Sequence, residues 1–99
     1  MLRRVVLWRL RATEPAQKSL DAGTIKRALE SMRGKIPGLV NIQVGINTAA
    51  GADVSDVVMI VDFENAQALE VYEHHPVHEQ VKPIVGPLRD EKRLIEYEF

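Results

Sequence analysis

Residues 5–8 read VVLW and residues 57–61 read VVMIV, and no other short runs in the chain are apolar at every position. A strand turns successive side chains to opposite faces, so a run without alternation has to be covered on both sides. Two such strands belong in the middle of a sheet. Between them lies VNIQVGIN, in which Val40, Ile42, Val44 and Ile46 alternate with polar or small residues and predict a strand with one dry face. The closing LIEYEF alternates as well, with Ile95, Tyr97 and Phe99 on one side and Glu96 and Glu98 on the other.

Two helical stretches separate these strands. Thr13-Glu14-Pro15 offers a helix start with proline in the first turn, and Leu20, Ile25, Ala28, Leu29 and Met32 continue an apolar stripe towards Gly34, which can close it. Residues 64–72 predict a second helix, with Ala66, Leu69 and Tyr72 on one side; Pro76 and Pro83 break the run that follows into shorter pieces. The order β-α-β-β-α-β is the split βαβ arrangement of an α+β, ferredoxin-like domain, a four-stranded antiparallel sheet with both helices on one face and the first and third strands central. Residues 1–99 are expected to form one domain.

Two helices cover only one face. Val6, Trp8, Val58, Ile60 and one row of the second strand are then expected on the other, an apolar floor of several hundred Å². At about 25 cal/mol per Å², burying it contributes on the order of 10 kcal/mol before association costs. The expected partner is a second copy of the chain, joined through the sheet faces; the alternative is an open floor holding a large ligand or another protein.

Composition excludes other classes. A net charge of −1 gives no general attraction to nucleic acid, and no stacking aromatics stand on the third strand to receive RNA bases. No apolar run is long enough to span a membrane. The arginines within MLRRVVLWRLR argue for a strand there instead of a signal peptide, and the absence of cysteine suits a reducing, cytoplasmic setting.

All three histidines fall in YEHHPVHEQV, residues 72–81. His74 and His75 read as a helix end before proline. His78 has two readings: burial beside Tyr72, or a base working with it. A metal site would need a completed ligand set, which His74, His78 and Glu79 across Pro76 do not supply. Trp8 is an anchor of core or interface, and Arg4 either meets a carboxylate or phosphate in a cavity or forms a rim ion pair with Glu96 or Glu98.

RRVVLWRL, GKIPGL, VVMIVDFEN, YEHHPVHEQV and LIEYEF, in this order along nearly the whole chain, resemble the stress-responsive A/B barrel domain family. The resemblance implies two subunits placing their sheets face to face as a dimeric α+β barrel around a central pocket, which is expected to take a small, partly apolar or anionic compound. It also points to olivetolic acid cyclase-like members, which close a polyketide ring by aldol-type chemistry without metal or cofactor; Tyr72 and His78 match their tyrosine and histidine. Those members carry a histidine on the first strand where this chain has Arg4, and their bulky first-helix aromatics are absent here. The candidate catalytic pair is Tyr72 and His78, the candidate pocket residues are Arg4, Val6, Trp8 and His75, and no cofactor or metal is expected. A purely protective, structural role, and the haem-degrading or monooxygenase proteins of the same architecture, are the rival readings.

Overall fold

The computed structural model describes all residues, 1–99. In chain order the elements are β1 (Leu2–Leu10), α1 (Pro15–Glu30), β2 (Leu39–Ile46), β3 (Val57–Phe63), α2 (Ala66–His74), α3 (Pro76–Val85) and β4 (Arg89–Glu98). The sheet runs β2-β3-β1-β4, antiparallel throughout, with the two fully apolar strands in the centre. One helix more than expected is present: Pro76 ends α2 and starts α3, whereas Pro83 sits inside α3 without ending it.

Register settles which face each residue takes. Val6 stands opposite Met59 and Trp8 opposite Val57, and all four are buried with Ile25, Leu29 and Tyr72 beneath the helices. This corrects the expected facing. Val6 and Trp8 line the helix side, and it is Val5 and Leu7 that share the far face with Ile60 and Val58. On β4, Ile95 lies beside Val5 and Tyr97 beside Arg3, so the far face gathers Val5, Leu7, Val58, Ile60, Ile95 and Tyr97. The apolar floor therefore exists, built from the opposite row of β1.

Smaller departures have local causes. Val40 is 53% exposed because the β2–β3 register shifts between Leu39 and Asn41, and Ile46 at the strand end is exposed too. Leu20 is 66% exposed and adds nothing to the core, which α1 joins through Ala22, Ile25 and Leu29. The outer edge of β2 is closed by α1 side chains and the turn after it: Lys26 Nζ donates to the Val44 carbonyl at 2.7 Å, and Arg33 donates to that of Ile42. Such cover blunts an edge that would otherwise template further strands. After α1, Gly34 and Gly38 adopt positive φ of 76° and 80°, turning the chain back into β2.

Candidate functional site

The site begins with how α2 and α3 are capped. Asn65 Oδ1 accepts from Ala68 N at 2.9 Å and starts α2, which buries Tyr72 in its last turns. The residue before a proline is pushed out of the helical region, and His75 obeys with φ −71° and ψ 137°. It caps both helices: its N–H donates to the Tyr72 carbonyl at 3.2 Å, and its Nδ1 accepts from Val77 N at 3.1 Å. His75 is not among the residues that line the cavity described next; its ring is spent on the joint. The bend folds the first turn of α3 back over α2, so the His78 ring stacks on Tyr72 with centroids 4.0 Å apart and planes 22° apart. Phe63 supports the other side of Tyr72 at 5.1 Å.

Both rings line a cavity of about 290 Å³ enclosed between the helix side of the sheet and α3. Its apolar wall comes from Val6, Trp8, Met59, Leu29, Val81 and Val85. Its charged wall comes from Arg4, Glu73, Lys82, Arg89 and Lys92. This cavity lies within one subunit, on the helix side of the sheet, because the even-numbered residues of β1 turn towards the helices.

Arg4 is in the wall, yet its donors are taken. Nε donates to Glu96 Oε1 at 2.7 Å and Nη2 to Glu73 Oε1 at 2.8 Å, with a further close contact to Glu96. Burial works against the Arg4 charge, but the two carboxylates outweigh it and hold its pKa above the ordinary value. Burial likewise works against the Glu73 carboxylate, and the Arg4 hydrogen bond and charge hold it ionised.

The stacked pair is neutral at neutral pH. Burial pushes the Tyr72 hydroxyl up to about 12, with the Arg4 charge opposing, so it stays protonated. Burial and then the Lys82 charge lower His78 from its ordinary 6.5, and its Nδ1 is buried with no partner in hydrogen-bond geometry. An unprotonated imidazole can accept a proton, and a protonated phenol can donate a hydrogen bond to an oxyanion. His74, His78 and Glu79 do not gather into a group able to hold a metal ion.

The fold brings five of the six expected site residues, Tyr72, His78, Arg4, Val6 and Trp8, to one cavity. Glu73, Lys82, Arg89 and Lys92 also line it, and the sequence reading did not single them out. The usable signal was register: Lys92 stands opposite Trp8 on β1.

Residues 2–99 match the stress responsive A/B barrel domain. The chain belongs to this family. The fold is similar to a dimeric protein of unknown function with a ferredoxin-like fold from Bacteroides fragilis, at 26% identity and a TM-score of 0.87 over 99% of this chain and 95% of that one. A dimeric ferredoxin-like protein from Thermobifida fusca shows 20% identity and a TM-score of 0.81 over 99% and 90% of the two chains. An antibiotic biosynthesis monooxygenase, 12% identical, shares the fold with a TM-score of 0.74 over 100% and 98%. No curated protein matches the chain. The family's ferredoxin-like architecture thus hosts more than one description, and no helix of this chain is long and apolar enough to cross a membrane.

Proposed function

We propose that the chain, as a single domain over residues 1–99, works as a homodimer joined through its open sheet faces, each subunit binding a small, partly apolar compound in its own cavity. The cavity walled by Trp8, Met59 and Val81 on one side and by charged side chains on the other carries the binding reading. Its volume falls near the lower end of pockets that hold small organic ligands. The apolar face of Val5, Leu7, Val58, Ile60 and Ile95, together with the dimeric state of the two most similar solved structures described above, supports the assembly. The absence of cysteine agrees with work in a reducing compartment such as the cytoplasm. A thermal-shift screen of small carboxylic acids, ketones and phenols tests the binding reading. A specific ligand that raises Tm and perturbs Trp8 emission supports it; a screen in which nothing binds favours the protective, structural reading.

A second reading is favoured by the stacked Tyr72 and His78. In it the cavity supports cofactor-independent acid–base chemistry on a ketone or polyketide-like substrate, as the resemblance to cyclase-like members implies. Neutral His78 takes a proton from the carbon next to a carbonyl, and the Tyr72 hydroxyl donates to the oxyanion that develops. His78→Ala is then expected to lose turnover of a poly-β-ketone substrate while the dimer persists on a sizing column. Equal activity in that variant rejects the acid–base reading and leaves the binding one standing.

A further inference from the structure

The charged wall of the cavity is not uniform. Arg4 is engaged by Glu73 and Glu96, and Lys82 Nζ is engaged by Glu79 Oε1 at 2.8 Å. Arg89 and Lys92 line the same cavity and form no ion pair or side-chain hydrogen bond. They lie on the helix side of β4, where Lys92 stands opposite Trp8 and Arg89 opposite Leu10, and they share the cavity lining with Val85 of α3 and Gly86 just after it. Two unengaged cations meeting at one end of an apolar cavity leave a positive potential there, where low-dielectric walls concentrate it. The protein packed around Lys92, then the charges of Arg4 and Arg89, lower its pKa against the opposing charge of Glu73. An anion placed between them would relieve the repulsion, and it would gain charge-assisted hydrogen bonds without breaking an existing pair.

We propose that the cavity takes an amphiphile with an anionic head, the head held by Lys92 and Arg89 between β4 and α3 and the apolar body against Val6, Trp8, Met59 and Val81. This rests on the binding reading above and adds the ligand's charge and direction. It also removes Arg4 from the head-group role, because Arg4 could accept an anion only by releasing one of its two carboxylates.

Trp8 is the sole tryptophan and lines the cavity, so its emission reports occupancy. The probes are octanoate and its uncharged isostere octanamide, titrated into the full-length protein and into Lys92→Met, Arg89→Met and Arg4→Met. Octanoate is expected to bind the unaltered protein more tightly than octanamide. Lys92→Met and Arg89→Met are each expected to weaken octanoate about fivefold to tenfold, as loss of one charge-assisted contact near the surface would, and to leave octanamide unchanged. Equal affinity for the two probes, or a preference abolished by Arg4→Met and kept in both β4 variants, overturns the assignment while the binding reading survives. Failure of both probes to perturb Trp8 overturns the assignment together with the binding reading for compounds of this class.

Discussion

Replacing Ile95 by aspartate separates assembly from folding. Ile95 stands beside Val5 on the open face and is 61% exposed in the lone subunit. Full burial of an isoleucine contributes about 1.5–3 kcal/mol, so covering what remains is worth about 1–2 kcal/mol per copy. A two-fold interface counts it twice. Aspartate adds the desolvation of a carboxylate, several kcal/mol when unpaired, which Arg93 on the same face would partly offset. A total near 5 kcal/mol corresponds to a rise in dimer Kd of about three to four decades. Sedimentation across a concentration series measures this directly. Leu94→Asp is the control, since Leu94 is 49% exposed on the same strand but stands opposite Val6 on the helix side. It is expected to stay dimeric. An unaltered chain that sediments as a monomer at micromolar concentration, or an Ile95→Asp variant with unchanged Kd, refutes the reasoning.

Gly38→Ala is expected to destabilise by about 1–3 kcal/mol, because φ is 80° and the added Cβ would stand 2.5 Å from that of Ala68; chemical denaturation measures it, and an unmoved midpoint counts against the packing described. Asp62→Asn removes the bidentate pair in which Arg3 Nε and Nη2 donate at 2.7 and 3.0 Å, and a cost of about 1–3 kcal/mol is expected from the same assay. His78 supplies a pH dependence. Burial holds its folded pKa below 6.5, so between the two values the unfolded chain binds more protons, and stability rises with pH through that window. The contribution is complete above about 6.5 and is lost as pH falls towards the folded value. His78→Gln should flatten that slope, and a variant whose stability tracks the unaltered protein at every pH would show that His78 titrates normally.

The unbroken apolar runs placed β1 and β3 at the sheet centre correctly, since a strand buried on both faces has few other places to go. The same runs concealed which row faces the helices. When Val5, Val6, Leu7 and Trp8 are all apolar, alternation separates two rows without orienting them, and orientation came from the pairing of Val6 with Met59. The register shift that exposes Val40 leaves no mark in a pattern that alternates correctly on both sides of it. Tyr72 and His78 were legible together because only five residues, one of them Pro76, lie between them. Glu73 was not readable as Arg4's partner, for the two are 69 residues apart and only the crossover joins them. Nothing within RDEKR singles out Lys92 and Arg89, which the sheet sets beside Trp8 and Leu10.

β1 presents different surroundings on its two faces, and its arginines separate them. Arg3 points to the open face and pairs with Asp62 over the Phe99 ring, while Arg4 points to the cavity and pairs with Glu96 on β4 and Glu73 on α2. A guanidinium suits the second position because its rigid fork can bridge two carboxylates from different elements, a reach that a shorter imidazole lacks. Arg4 thereby ties the edge strand to the helix that carries Tyr72. That tie satisfies the Arg4 charge, and the cations of the cavity wall that remain without an ion pair are Lys92 and Arg89 on β4. A histidine at this position, which the resemblance attributes to cyclase-like members, would lack the fork that bridges Glu73 and Glu96, so the arginine alters the ion pairing of α2 and β4 as well as one residue of the cavity wall.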